Sequence, residues 1–167
     1  MTTGKNRLRA FLLPKTDKRF FIRLSCVIGV SVLFFGFICR PYIIRGNSMH
    51  PTYKDGNFVL GFKQKYRLRD LSRGDVVMVE LAGNRVMYLK RVVGFPGETV
   101  EFRQGNLYID GELLDEPYIN GPCDWELPER TVDPGFVYVV GDNRAMPIDA
   151  HQFGSVLRKK INGGPLW

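Results

Sequence analysis

The sequence predicts a mainly β protein, in which an antiparallel coiled sheet or barrel-like domain follows one N-terminal transmembrane helix. Three observations lead to this prediction. Residues 20–39 form an apolar run that only Arg23 interrupts. After Pro41, short β-branched and aromatic runs alternate with turn dipeptides, as in sheet proteins. No stretch beyond that proline has three turns of amphipathic helical periodicity.

The apolar run is long enough to cross a bilayer. Residues 24–39 carry no charge, and residues 20–22 extend the run. A helix of about twenty residues spans the roughly 30 Å hydrocarbon layer, and Arg23 is near enough to one end to return its charge to the headgroups. A buried core helix and a cleaved signal peptide are the alternatives. Cleavage is disfavoured because Arg40-Pro41 stands where a small-x-small site would follow.

The net charge of +7 belongs to the N-terminal segment. Residues 1–40 hold eight Lys/Arg against Asp17, whereas residues 41–167 hold sixteen basic and sixteen acidic residues. A basic nucleic-acid-binding body is therefore excluded, and no nucleic-acid partner is expected. Six of the basic residues precede Phe20, and this asymmetry places the N-terminus in the cytosol.

Three segments follow from this orientation. Residues 1–19 form a basic cytosolic tail, residues 20–40 form the anchor, and residues 41–167 form a β domain outside the cytosol. Of the three cysteines, Cys26 and Cys39 fall within the anchor, so the β domain has no disulfide scaffold. Two histidines are too few to make a metal site by themselves, and we expect no metal.

The β domain reads as short strands separated by Gly-containing turns. The predicted strands are 58–60, 76–79, 86–93, 99–102, 107–109 and 136–140. Asp110-Gly111 is the clearest two-residue hairpin turn. The polar, proline-rich segment 120–134 is predicted to be a long loop.

Lys90 is the candidate general base for a serine hydrolase. It lies within V-M-Y-L-K-R-V-V-G, and strand alternation places it on one face with Tyr88 and Val92, while Arg91 points to the other face. Apolar surroundings lower the pKa of a lysine and allow its neutral amine to accept a proton. By pattern alone, a solvated charge on an edge strand is the commoner outcome for such a lysine.

Ser48 is the candidate nucleophile. It lies in R-G-N-S-M-H-P-T-Y-K-D-G, where Gly46 allows close backbone approach and Pro51 fixes the turn that follows. The backbone N–H of Ser48 is suited to face an oxyanion. On its own, this segment is weak evidence for a nucleophile, and an ordinary turn serine is the commoner outcome for such a pattern.

Four motifs together resemble the signature of bacterial signal peptidase I. They are G-N-S-M-H-P-T at 46–52, R-G-D-V-V-M-V at 73–79, Y-L-K-R-V-V-G-F-P-G-E at 88–98 and G-D-N-R-A-M-P-I-D-A-H-Q-F-G-S-V at 141–156. The resemblance implies a mainly β serine endopeptidase of the plasma (inner) membrane that removes signal peptides from exported preproteins. It implies Ser48 as nucleophile, Lys90 as general base and no cofactor. The lipid bilayer and signal-peptide-bearing preproteins are the implied partners, and the oligomeric state is left open.

The resemblance also implies how a substrate binds. An extended peptide would add as a strand near Ser48 and beside either Met78–Val79 or Met87–Tyr88. Small pockets would accept Ala-like residues at the first and third positions before the cut. Met49 is placed to line such a pocket.

The last motif departs from the family pattern G-D-N-R-x-x-S-x-D-S-R. Pro147, Ala150 and His151 replace the first serine, the second serine and the arginine. The first of those serines is commonly thought to position the lysine amine, and a proline supplies no hydroxyl. Asp149 is retained and is expected to pair with Arg91, with His151 as a weak, pH-sensitive substitute for arginine. The structural supports of the site are then Arg91, Asp142, Arg144 and Asp149.

Three other functions are alternatives. The Ser-Lys self-cleaving SOS repressors share the G-x-S-M and lysine arrangement, but their Ala-Gly or Cys-Gly cleavage site does not occur before Ser48. A specialised peptidase of the same fold would serve one pilin, conjugation or exopolysaccharide substrate. A membrane-anchored β domain that binds exported peptides without cutting them is favoured by Pro147 and disfavoured by the presence of both Ser48 and Lys90.

Overall fold

The computed structural model of the chain describes residues 17–82, 86–119 and 121–166. Residues 1–16, most of the predicted cytosolic tail, lie outside these ranges. The chain divides into two units, one that ends at Ile38 and one that begins at Cys39.

The described part of the first unit, from residue 17 to residue 38, is one apolar helix with its capping residue. Helix α1 spans Lys18–Leu33 and continues as a π-helical segment, Phe34–Ile38. The Asp17 side chain caps its start by accepting a hydrogen bond from the Phe20 N–H at 2.8 Å. The combined helix has 21 residues, none of them buried, and is long and apolar enough to cross a membrane.

The helix ends earlier than the predicted anchor, which extended to residue 40. Cys39 is instead the first residue of a strand, where it is buried and pairs with Phe62. The apolar pattern runs on through Cys39, but Pro41 disfavours helical geometry in the residue before it.

The described residues of the second unit form eleven strands in three antiparallel sheets. The first sheet, in the order β1-β2-β11, contains β1 (Cys39–Ile43), β2 (Phe58–Phe62) and β11 (Gly164–Pro165). The second, in the order β10-β9-β4-β3, contains β3 (Val76–Ala82), β4 (Val86–Gly94), β9 (Phe136–Val140) and β10 (Gly154–Leu157). The third, in the order β7-β6-β5-β8, contains β5 (Thr99–Arg103), β6 (Asn106–Ile109), β7 (Glu112–Leu113) and β8 (Leu127–Thr131).

Short helical segments connect some of these strands. They are α2 (Lys65–Leu68) and two 3₁₀ turns, Ile148–Ala150 and Arg158–Lys160. The mainly β, antiparallel fold class is confirmed, and each of the predicted strands lies within an observed one.

The predicted hairpin is present, whereas the predicted long loop contains a strand. Ile109 pairs with Glu112 across Asp110-Gly111, and both turn residues have positive φ, at 51° and 79°, as the tight turn requires. The segment 120–134 is not all loop, because it contains β8, which pairs with β5. All positions of β8 after Leu127 are exposed, so the strand carries no alternating apolar pattern that a sequence could show.

Two apolar clusters hold the elements that carry the site. Ile44, Met49, Tyr53 and Val59 form one cluster, which packs the segment between β1 and β2 against β3 and β4. Valines of β3, β4 and β9 form the other, with Val77, Val92 and Val139 each at most 1% exposed. Rigid placement of β4 next to the β1–β2 segment follows from this packing.

Candidate active site

Strand β4 holds Lys90 inside the second sheet. Lys90 lies opposite Val77 of β3 and is only 3% exposed. Its neighbours alternate as predicted: Tyr88 and Lys90 line one cavity together, whereas the side chain of Arg91 lies on the other face and reaches Asp142. The lysine is therefore a buried residue and not a solvated edge charge.

The segment between β1 and β2 presents Ser48. Gly46 has φ of +91°, a conformation that L side chains rarely adopt, and its N–H donates to the Asp55 carboxylate at 2.7 Å. Just after Ser48, Met49 is 2% exposed in the apolar cluster, and its carbonyl accepts from the Tyr53 N–H at 2.8 Å. These contacts fix the turn on both sides of a half-buried serine.

The structure brings Ser48 and Lys90 together. The Lys90 Nζ lies 2.8 Å from the Ser48 Oγ. Burial lowers the pKa of Lys90 to about 8, against a smaller opposing effect of the Asp142 charge. A neutral amine at this distance is placed to accept the hydroxyl proton, the arrangement that activates a serine nucleophile.

Residues just after β9 hold the backbone of Ser48. The Asn143 N–H donates to the Ser48 carbonyl at 3.0 Å, and the Asn143 side chain donates to the Asn47 carbonyl at the same distance. A Cβ at Gly141 would collide with the Ser48 carbonyl and with His151 Nε2, so only glycine permits this approach. Within the described ranges, no acceptor bonds the Ser48 N–H, which leaves it available to a ligand.

Arg91 is paired behind the site, but not with the expected partner. Its Nε and Nη2 donate to the two carboxylate oxygens of Asp142 at 2.8 and 2.5 Å, and the Thr52 hydroxyl donates to the same carboxylate. Asp149, the predicted partner, is exposed. The strand register explains the correction: Arg91 lies opposite Val140, so Asp142 follows two residues beyond that pairing.

Arg144 forms a second buried ion pair that sequence reasoning missed. Its guanidinium donates to both carboxylate oxygens of Glu116 at 2.8 and 2.5 Å, and its Nε donates to the Gly141 carbonyl at 2.9 Å. Tyr118 links the two ion pairs, since its hydroxyl donates to Glu116 at 2.7 Å and its ring lies 3.8 Å from the Arg91 guanidinium. No sequence signal joins Glu116 to Arg144, because 28 residues separate them.

His151 is not the substitute for arginine that we expected. Its side chain is 5% exposed, its Nε2 accepts from the Gly141 N–H at 3.0 Å, and its ring lies 4.7 Å from that of Trp125. Burial, with the nearby charges of Lys90 and Arg144, lowers the pKa of His151 to about 3. A neutral imidazole forms no ion pair with Asp149. Pro147, where the family pattern has serine, is exposed.

A cavity of 440 Å³ opens beside Lys90. Its lining includes Val79 and Tyr88, two of the predicted substrate-binding residues, together with His151 and Phe153. Met49 is close to the nucleophile through the chain and is buried. The backbone of Met87 lies in β4 opposite Glu80, and its side chain is outside the described part of the structure.

The predicted strand edge at Met78–Val79 is occupied. One side of β3 pairs with β4, and on the other side Met78 exchanges backbone hydrogen bonds with Asn162 and Gly163 at 2.8 and 2.9 Å. Val79 forms a bridge with Ile161. The edge of β4 differs, because among the described strands the pairing with β9 starts at Arg91 and leaves Met87–Tyr88 unpaired on that side. In the same described ranges, no three His, Cys, Asp or Glu side chains come together to hold a metal ion.

Comparisons with known proteins agree with these motifs. The chain matches the family described as "Signal peptidase, peptidase S26" over residues 18–165. It is 32% identical over 152 residues to signal peptidase I of Bacillus caldolyticus, covering 83% of this chain and 81% of that protein. It is 34% identical over 160 residues to signal peptidase IB of Staphylococcus aureus strain COL, covering 84% and 83%.

A solved structure is also similar. The crystal structure of a signal peptidase I from Enterococcus faecalis is 29% identical and covers 57% of this chain and 97% of its own, with a TM-score of 0.46. The family match alone spans nearly the whole chain, from the start of α1 to β11. On this match, the chain belongs to the signal peptidase family, peptidase S26.

Proposed function

We propose that the chain is a membrane-bound serine endopeptidase that removes N-terminal signal peptides from exported preproteins, with Ser48 as nucleophile and Lys90 as general base. The observation that carries the proposal is the 2.8 Å contact between Lys90 Nζ and Ser48 Oγ, made by a lysine that is 3% exposed. Family membership supplies the reaction class, and the names of the relatives supply the substrate class.

The contact supports a two-step acyl transfer. The neutral Lys90 amine takes the Ser48 proton as Oγ attacks the carbonyl carbon of the scissile peptide bond. The resulting ammonium returns that proton to the leaving amine as the bond breaks, which produces an acyl-enzyme. Lys90 then takes a proton from water as the hydroxide attacks the ester carbonyl, and it returns that proton to Ser48 Oγ as the ester bond breaks, which regenerates the free serine and the neutral amine.

The charge on the tetrahedral intermediate needs hydrogen-bond donors. The available backbone N–H of Ser48 is the first donor in this proposal. The hydrogen bond from Asn143 to the Ser48 carbonyl supports that role, because it fixes the peptide plane next to the donor. The donor is then oriented before substrate binds, so the reaction needs little reorganisation.

The substrate peptide adds as a strand to the edge of β4 at Met87–Tyr88, which no described strand pairs on that side. Main-chain hydrogen bonds to this edge orient the scissile bond. They do not depend on the side chains of the substrate, so they give no sequence specificity. The nearby cavity, lined by Val79 and Tyr88, is too small for a long peptide and suits individual side chains. Met49 lies beside the nucleophile to limit the size of the residue before the cut.

The apolar helix is the membrane anchor, with residues 1–19 in the cytosol and the β domain outside it. The excess of Lys/Arg before the helix supports this orientation. Protease added to intact spheroplasts should then digest residues 41–167. Protection until lysis would reverse the orientation without affecting the dyad.

Cleavage of a purified preprotein with an Ala-x-Ala site tests the reaction. The wild type should cut after the second alanine, whereas Ser48→Ala and Lys90→Ala should each lower kcat/KM by a factor on the order of 10³ or more. Ser72→Ala and Lys54→Ala are the matched controls, since both residues are exposed and lie outside the site. Full activity of Ser48→Ala would reject the nucleophile. A wild type inactive on several preproteins would favour a peptide-binding domain or a dedicated substrate.

A further inference from the structure

A second cavity lies away from the dyad, between α2 and the Arg158–Lys160 turn. It has a volume of 390 Å³, and four cationic side chains line it with one acidic side chain. The charged lining residues are Lys63, Arg67, Arg158, Lys159 and Glu80. We call this cavity the basic cleft.

The basic cleft concentrates positive charge in a unit whose net charge is close to zero. Residues 41–167 contain equal numbers of basic and acidic residues, so four cations to one acid in one cleft is a local segregation. Of the nearby acids, Asp75 is held by both Nη atoms of Arg69 at 2.5 and 2.9 Å. Asp70 lies 3.9 Å from Arg158, and both side chains are largely exposed.

Lys63 in the cleft and Lys65 beside it have lowered pKa values, mainly because of burial. Partial burial and the charge of Arg40 lower the pKa of Lys63, and burial and the charge of Arg69 lower that of Lys65. A bound anion would favour the protonated forms of these amines. The positive potential of the cleft itself follows from its four lining cations.

Backbone hydrogen bonds hold the walls of the cleft in place. The Arg158 N–H donates to the Gly135 carbonyl at 2.9 Å, and the Asn162 N–H donates to the Met78 carbonyl at 2.8 Å. Gly163 has φ of +86° and packs so tightly that a Cβ would collide with the Phe62 carbonyl. The cleft is thus formed before any ligand arrives, which reduces the cost of binding.

The position of the cleft along the chain favours a lipid. Lys63 directly follows Phe62, whose partner Cys39 is the residue after the apolar helix. If that helix spans the bilayer, the headgroups lie within a short length of chain from Cys39. The neighbouring α2 also carries Leu68, which is 75% exposed and offers an apolar contact that a soluble anion does not need.

We propose that the basic cleft binds the phosphate of an anionic phospholipid headgroup. Arg67 and Arg158 give directional hydrogen bonds to phosphate oxygens, and Lys63 and Lys159 add point charges. The lipid would dock the β domain on the outer leaflet. This inference rests on the proposed anchoring and orientation but not on the Ser48–Lys90 chemistry, since its test measures lipid binding alone.

Native mass spectrometry of the full chain tests the proposal. The protein is released from mixed micelles that contain phosphatidylglycerol and phosphatidylcholine in equal amounts, and the lipids retained are counted. The wild type should retain phosphatidylglycerol in preference to phosphatidylcholine. Arg67→Gln/Arg158→Gln should reduce that preference by about fivefold or more, since a single cation near an anionic membrane contributes roughly a fivefold factor.

The matched control is Arg103→Gln/Arg130→Gln, which removes the same charge from exposed positions outside the cleft. It should retain the wild-type preference, because all four cations of the cleft are intact. The N-terminal basic segment is the same in all variants, so its contribution cancels in the comparison. Equal losses in both double variants, or no loss in either, would overturn the proposal. Displacement of the retained lipid by soluble glycerol phosphate would also overturn it, because the cleft would then be a site for a soluble anion.

Discussion

Lys90 and Arg91 are adjacent buried basic residues that β4 directs to opposite faces of the sheet, and their pKa values shift in opposite directions. Lys90 is 3% exposed and contacts a neutral serine hydroxyl, so burial lowers its pKa to about 8. Arg91 is also buried, but the hydrogen bonds and charge of Asp142 together outweigh burial and raise its pKa. The sign of the net effect depends on the partner and not on burial alone.

The difference teaches how one strand can serve both the proposed chemistry and the stability of the fold. On the Lys90 face, no carboxylate of the described residues bonds the amine directly, and the amine therefore stays able to lose its proton. On the Arg91 face, the Asp142 carboxylate, Tyr118 and the Glu116–Arg144 pair keep buried charges satisfied. Asp142 acts on both faces, since its charge slightly favours protonated Lys90.

The largest expected effect is on activity, and it comes from replacing Lys90 with arginine, the residue type that β4 presents on its other face. Lys90→Arg should lower kcat/KM by a factor on the order of 10³ or more, because a guanidinium stays protonated and cannot act as a base. Preprotein cleavage measures this loss, and near-ultraviolet circular dichroism checks that the fold is kept. Substantial turnover by a folded Lys90→Arg protein would contradict the assignment of the base.

Breaking the ion pair on the Arg91 face should damage stability. Asp142→Asn leaves Arg91 buried without a counter-charge, and we expect a loss of about 3 kcal/mol in the free energy of unfolding. Chemical denaturation in detergent measures it. The control Asp149→Asn, at an exposed carboxylate, should cost less than about 0.5 kcal/mol. Equal losses in the two variants would mean that the pairing with Asp142 is not the structural support.

Removing the Lys90 charge, which no carboxylate of the described residues pairs, should raise the free energy of unfolding instead of lowering it. Lys90→Met should raise the free energy of unfolding at pH 7 by about 2 kcal/mol, since the wild type bears the cost of a buried charge there. The folded-state pKa is about 8 and the ordinary value is 10.5, so the cost is complete below pH 8 and disappears as the pH rises through 10.5. Denaturation at pH 7 and pH 10 would show a shrinking difference. A destabilised Lys90→Met protein at pH 7 would contradict this reading of the site.

The smallest expected effect is at His151. Wild-type kcat/KM should rise with pH through an apparent pKa of about 8, the value of Lys90. His151→Gln preserves an acceptor for the Gly141 N–H and should leave that midpoint within about 0.3 units, because His151 is already neutral in this range. A midpoint near 6.5 that disappears in the variant would assign the titration to His151 instead.

Local patterns were sufficient where a single segment decides the outcome. The strand around Lys90, its facing residues and the Asp110-Gly111 hairpin follow from alternation and turn chemistry. Motif resemblance paired Ser48 with Lys90. Both residues lie between positions 46 and 98, but no periodicity in that stretch predicts that Ser48 Oγ and Lys90 Nζ come into contact.

Pairings between distant segments were not predictable in the same way. The partner of Arg91 depends on the register of β4 against β9, and the partner of Arg144 comes from the loop that holds Glu116. The occupied edge at Met78–Val79 depends on residues 161–163. One-residue differences in register change such contacts completely, and composition does not encode register.

By itself, the sequence determined the apolar helix and the β character of the rest, and it singled out Ser48 and Lys90 as the candidate nucleophile and general base. Hydrophobic periodicity and turn residues act over a few positions, so they can be read along the chain. The tertiary structure alone decided that the Lys90 amine is buried 2.8 Å from Ser48, that Asp142 holds Arg91, and that four cations surround one cleft. Burial and charge partners arise only when strands far apart in the chain pack together, and those two conditions set the pKa on which the chemistry depends.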